Sequence, residues 1–166
     1  MLAKAFVPTL FLAVPTVGFA QAGVAAASVE GVWRIAEVTT TGANAATNAS
    51  PQPSLIIFAR GHYAYLSVTQ PRAKYEAPKD PANLTDAEKI ARYQQWNPFT
   101  ANAGTYELSG TMLTRRPIVA KVVDVMTTNP PLVQELKLEG NTLWLITKSA
   151  AGQAPSETRF KLVRVQ

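Results

Sequence analysis

The chemistry open to this chain is narrowed first by what it lacks. It has no cysteine and a single histidine, His62, so thiolate chemistry and disulfides are excluded. A zinc or iron centre would have to be built on carboxylates, and no close pair of these stands out. No acyl-transfer nucleophile motif and no phosphate-cradling glycine loop occurs. No metal, no cofactor and no motif-borne catalytic residue is therefore expected. His62 stands beside Gly61, where it reads as a turn or rim residue rather than a general base. The side chains with most to offer are aromatic. Tyr63 and Tyr65 alternate on one strand-like run, Tyr106 and Trp144 lie on later runs, and Tyr93, Trp96 and Phe99 fall in the long segment between. A ring with a polar tip suits a hydrophobic ligand carrying one or two oxygens, although such rings can also simply fill a core. Among the charges on strand-like runs are Glu107, Arg115, Arg116 and Glu135. Any of these that points inward needs a partner or a ligand group, because an unpaired buried charge costs several kcal/mol. The expected ligand set is Tyr63, Tyr65, Trp96, Phe99, Tyr106, Arg116, Glu135 and Trp144. A tyrosine paired with a carboxylate can also move protons, which makes Tyr63, Tyr106 and Glu135 the acid/base set of an enzymatic alternative.

These residues need elements to hold them. Val32 to Thr41, Ser54 to Ala59 and His62 to Thr69 read as strands, followed by Thr105 to Leu108 and Thr111 to Arg116. Leu132 to Leu138, Thr142 to Lys148 and Glu157 to Val165 complete a set of eight. Glycine-containing connections of two or three residues join three of the neighbouring pairs, which is the hairpin signal. Hairpins in series make an antiparallel meander, and the chain has no room for the helical crossovers that a parallel sheet requires. Closure into a barrel removes both open edges. Eight strands enclose an interior just wide enough to be filled by side chains or to hold one small ligand.

One helix interrupts the series, in the insert between the third and fourth of these eight strands. Thr85-Asp86-Ala87-Glu88 reads as a capping box, Ile90, Tyr93 and Trp96 follow at helical spacing, and Pro98 ends the run. The insert, residues 71–101, begins with a proline- and charge-rich loop and is expected to act as a lid, since connections longer than about 15 residues are usually functional or disordered. Residues 42–53 read as a polar, turn-prone loop, and 119–125 fit either a short strand or a turn of helix.

Gly31-Val32-Trp33 at the start of the first strand, together with Arg164 on the last, resembles the lipocalin signature. The resemblance implies that the tryptophan plugs the closed end of the barrel and that a basic side chain packs across its indole. The chain is also similar to the bacterial lipocalin-like domain family, over segments spread from residue 31 to 165. These are Gly31-Val32-Trp33-Arg34, Leu55-Ile56-Ile57-Phe58 with Gly61-His62-Tyr63, Pro71-Arg72, Gly104-Thr105-Tyr106-Glu107, and the hairpin from Leu136-Lys137-Leu138 to Leu143-Trp144-Leu145. None of them is a catalytic motif, and the resemblance speaks to fold more than to function.

The N-terminus has the three-part pattern of a secretory signal peptide. Lys4 is its positive end, Ala5 to Val17 is apolar apart from Thr9, and Ala20-Gln21-Ala22 fits the small-x-small cleavage rule. The division expected is a signal peptide over 1–22, with cleavage as late as 27, and an all-β barrel domain over 28–166. The apolar run falls short of the ~20 residues that span a bilayer and carries two prolines, so no stable membrane insertion is expected after cleavage. A formal charge of +5, spread along the chain, makes no case for nucleic acid. Together these features describe an exported, periplasmic or secreted, barrel that binds or carries a small hydrophobic or amphipathic molecule. The alternatives are an isomerase- or cyclase-type enzyme, or a filled barrel working through its outer surface as an inhibitor or envelope partner.

Overall fold

The computed structural model describes residues 29–74, 76–127 and 131–165. The signal-peptide reading and its cleavage sites lie outside the described residues. The chain forms β1 (Gly31–Thr40), β2 (Ala46–Asn48), β3 (Ser54–Ala59), β4 (His62–Val68), α1 (Asp86–Trp96), β5 (Phe99–Ser109) and β6 (Met112–Ala120). These are followed by α2 (Val123–Met126), β7 (Leu132–Glu139), β8 (Thr142–Lys148) and β9 (Glu157–Val165). From β3 onward each strand pairs antiparallel with the next, and β1 pairs with both β3 and β9. The result is a closed antiparallel barrel of eight strands, β1 and β3 to β9. The short β2 hangs outside the ring on the end of β1, through Thr40↔Ala46 and Val38↔Asn48.

Three local readings change. Residues 42–53 contain β2 as well as turns, because the last residues of β1 offer backbone groups that a polar segment can pair with as well as an apolar one. β5 begins at Phe99 rather than Thr105. Its first half, Phe99-Thr100-Ala101-Asn102-Ala103-Gly104, has weak strand propensity, but β4 pairs with all of it, from Val68↔Phe99 to Tyr63↔Gly104, and tertiary pairing overrides propensity. The ambiguous stretch 119–125 divides, with Val119 and Ala120 ending β6 and Val123 opening α2. Helix α1 lies between β4 and β5, and β2 moves the strand count by one.

The barrel has two unlike ends. Two-residue turns at 60–61, 110–111 and 140–141 join β3 to β4, β5 to β6 and β7 to β8 at one end, the floor. The longer connections, those that follow β1, β4, β6 and β8, leave from the other end, the mouth. Alternation along each strand sends one set of residues inward. Trp33, Phe58, Leu113, Leu136, Leu143, Leu145 and Leu162 are at most 2% exposed and pack the floor half solid. The register shifts between Ala103 and Gly104 on β5, opposite Val119 and Pro117 of β6. A Cβ on Gly104 would collide with the Arg116 carbonyl oxygen, so the two backbones can approach only because the side chain is absent.

Helix α1 starts with the capping box: the Glu88 N–H donates to Thr85 Oγ1 at 3.3 Å, and the Thr85 N–H donates to Glu88 Oε2 at 2.8 Å. At its other end Lys121 Nζ donates to the carbonyls of Trp96, Asn97 and Phe99 at 2.7–2.9 Å, a cation placed where the helix dipole favours one. The helix buries no residue. Its stripe of Ile90, Tyr93 and Trp96 is 57%, 64% and 56% exposed, so the face expected to cover a ligand is open.

Candidate functional site

The floor is closed by Trp33. Its indole N–H donates to the Val29 carbonyl at 2.8 Å, and the Arg164 guanidinium lies 4.1 Å from the ring centroid. Arg164 Nη1 also donates to the Glu30 carbonyl at 2.6 Å, drawing the segment before β1 across the barrel end. Gly31 makes this possible. Its φ is +130°, and a Cβ there would stand 2.5 Å from Arg164 Nη1.

Above the packed floor the interior turns polar. Arg115 on β6 shares the inward face with Leu113 and is only 9% exposed. Its Nη2 donates to Gln134 Oε1 at 2.7 Å, and Gln134 Nε2 in turn donates to Thr147 Oγ1 at 2.9 Å. The Gln134 amide is thereby fixed with its oxygen toward the guanidinium. On the other side Arg115 lies 5.2 Å from the Tyr63 ring centroid, and the Tyr63 hydroxyl donates to Asn102 Oδ1 at 2.7 Å. Four strands thus contribute to one interior cluster: β4 through Tyr63, β5 through Asn102, β6 through Arg115 and β7 through Gln134, with β8 behind them through Thr147. Among the described residues no carboxylate forms an ion pair with Arg115, and its Nε is buried without a hydrogen-bond partner. Burial pushes the guanidinium pKa down, opposed by the nearby tyrosines. Burial likewise raises Tyr63, with Arg115 pulling it back.

The sequence-expected residues separate into three groups. Tyr63, Tyr65 and Tyr106 are on the inward face. Tyr63 belongs to the cluster and Tyr65 is half-buried beside the core. Tyr106 sits in the floor half, edge-on to Phe58 with centroids 5.0 Å apart, its hydroxyl buried without a partner among the described residues. Burial, followed by the charge of Glu30, raises its pKa. Phe99 and Trp96 pack on each other at the base of the insert, with centroids 5.4 Å apart, outside the cluster. Arg116, Glu135 and Trp144 point away from the interior. Arg116 faces Glu107 at 3.9 Å on the outer surface, Glu135 pairs with Lys148 at 2.7 Å, and Trp144 lies beneath Lys137. Their strands place their inward neighbours, Arg115, Gln134 and Leu145, inside instead. Glu135 is thereby kept on the opposite side of the sheet from Tyr63 and Tyr106.

Sequence reasoning missed Asn102, Gln134 and Thr147. The available signal was parity: Gln134 alternates with Leu132, Leu136 and Leu138, and Arg115 with Leu113. Outside the barrel, the insert encloses an open groove of about 740 Å³ between the 71–79 loop and α1, lined by Pro71, Ala77, Leu84, Ala91 and Gln95 among others. A shallower hollow of about 580 Å³ adjoins it at Tyr93 and Trp96. Among the described residues no group of three or more His, Asp or Glu side chains could hold a metal ion.

The fold and site together define a closed eight-stranded barrel with an apolar floor and a polar, cationic interior above it. No family model, curated protein or solved structure matches the chain.

Proposed function

We propose that the protein is an exported, lipocalin-like carrier that holds a small hydrophobic or amphipathic molecule in the mouth half of its barrel. The observation carrying this reading is the change of character along the interior. Folding alone is served by the leucine- and aromatic-packed floor, whereas Tyr63, Asn102, Arg115 and Gln134 place polar groups inside the barrel at a desolvation cost that a packed core has no need to bear. A few convergent polar groups above an apolar base are what an orienting ligand site requires. The Gly31, Trp33 and Arg164 arrangement supports the lipocalin-like assignment, and the pattern of residues 1–22 supports export. Binding is favoured over proton transfer because the Tyr63 hydroxyl is engaged by an amide oxygen and Glu135 is on the outer face.

The test is expression in a host that exports the protein, with intact-mass measurement of the processed chain followed by native mass spectrometry. The processed chain is expected to begin at Gly23 or Ser28 and to carry a small-molecule adduct. It should also take up the neutral fluorescent probe N-phenyl-1-naphthylamine with micromolar affinity. A protein that is retained unprocessed refutes export. One that carries no adduct and leaves the probe unbound refutes the carrier.

A further inference from the structure

We infer that the molecule held in the barrel carries a carboxylate head, and that it enters head-first to place that carboxylate on Arg115, with its apolar tail toward the mouth. This rests on the carrier reading above and specifies its ligand. A guanidinium has five N–H donors and no means of discharging its charge at physiological pH. Among the described residues only Nη2 is engaged by a protein acceptor, the Gln134 Oε1, while Nε is buried with none. A cation that is 9% exposed and faces no carboxylate among the described residues is half of an ion pair, and a folded protein keeps such a charge at a cost of several kcal/mol.

The surroundings are arranged to leave that charge available. Gln134 is a neutral acceptor locked in orientation by Thr147, so it steers the guanidinium plane without neutralising it. The Tyr63 hydroxyl spends its proton on Asn102, and its ring offers the cation a face. A planar carboxylate matches the planar guanidinium fork with two parallel hydrogen bonds. The tail follows from the residues opposite. Leu132 is directly paired with Arg115 on the mouth side of Gln134, and Tyr65, Val38 and Phe160 are partly buried against the core. With Leu132 they are among the inward apolar side chains left outside the fully buried leucine floor, which blocks deeper entry.

The experiment is displacement of N-phenyl-1-naphthylamine from the processed protein by decanoic acid, decan-1-ol and acetate at neutral pH. A charge-assisted hydrogen-bonded head predicts that decanoate displaces the probe at about tenfold lower concentration than the alcohol. Acetate should be ineffective at the same concentrations. Arg115→Met should bring acid and alcohol to within about twofold of each other, with alcohol binding retained, and Arg115→Lys should restore part of the preference. The comparison of acid with alcohol on the unaltered protein stands whether or not the Arg115 variants fold. Equal displacement by acid and alcohol overturns the carboxylate inference while leaving the carrier intact. Displacement by acetate as effective as by decanoate overturns the tail. Failure of the probe itself to bind overturns the carrier reading instead.

Discussion

Replacing Arg164 by alanine tests the floor closure most directly. The guanidinium stacks 4.1 Å from the centroid of a fully buried indole and donates a 2.6 Å hydrogen bond to the Glu30 carbonyl. A partly desolvated cation–π contact contributes about 1–2 kcal/mol, and a hydrogen bond from a charged donor about 1.5–3 kcal/mol. Freeing the arginine side chain returns up to about 2 kcal/mol of rotamer entropy. The net expectation for Arg164→Ala is a loss of about 2–3 kcal/mol. With a urea slope of about 2 kcal/mol per molar for a domain of this size, the midpoint should fall by about 1–1.5 M. Trp33 emission should shift to the red as water reaches the ring. Arg34→Ala, at an exposed arginine on the strand that carries Trp33, is the control and should change stability by less than about 0.5 kcal/mol. Gly31→Ala should act on the same contact from the other side, since its Cβ would stand 2.5 Å from Nη1 on a backbone at φ +130°. The double variant should therefore be less destabilised than the sum of the singles, by about 1 kcal/mol or more. An Arg164→Ala midpoint indistinguishable from the Arg34→Ala control, or strict additivity with Gly31→Ala, would refute the closure.

Further outcomes follow from the same geometry. Gly104→Ala, which drives a methyl into the Arg116 carbonyl across the β5–β6 bulge, should destabilise by about 1–3 kcal/mol as an overpacking change; chemical denaturation measures it. Tyr106→Phe removes a buried hydroxyl that has no partner among the described residues and should leave stability unchanged or raised. Tyr63→Phe, which breaks the 2.7 Å bond to Asn102, should cost about 1 kcal/mol. Identical thermal melts for the two would contradict the assignment. Burial raises the pKa of both Tyr63 and Tyr106 in the folded state, so folding favours their protonated forms. That stability is complete below about pH 10, the ordinary tyrosine value, and is lost as pH rises beyond it. Unfolding followed across pH 8–11.5 should show a decline steeper in the unaltered chain than in the Tyr63→Phe/Tyr106→Phe variant.

Much of the barrel was legible in the sequence because its signals are local. Hairpin turns, the Thr85–Glu88 capping box and the alternation of apolar residues each act within a few positions. β2 and the first half of β5 were not legible, since pairing with a neighbour rather than residue type makes them strands. The interior cluster failed to emerge for a sharper reason. Arg115 and Arg116 are adjacent, as are Gln134 and Glu135, and a single-residue choice of register exchanges inside for outside. Charge favoured Glu135 over Gln134 as a ligand contact and could not separate Arg116 from Arg115. Counting outward from Leu113 and Leu136 would have selected Arg115 and Gln134, but the bulge at Gly104 shows that such counting holds only between irregularities. The exposed stripe of α1 shows a second limit: helical spacing of Ile90, Tyr93 and Trp96 reveals a face, not what that face touches.

The pairing of β1 with β9 also sets an order of events. Val32 lies against Val165 and Trp33 against Arg164, so the ring joins residues from opposite ends of the described chain. Closing a free loop of about 130 residues costs about 4 kcal/mol of chain entropy, a cost that falls as the hairpins between the two strands form and shorten it. A chain emerging N-terminus first can form its β3–β4 hairpin and later its β5–β6 hairpin, but Trp33 has no lid of arginine until β9 has been made. Until then the first strand remains an open edge with an unsheltered indole. The last step of assembly is therefore also the step that seals the floor, and damage to β9 should be felt first as exposed edges and self-association.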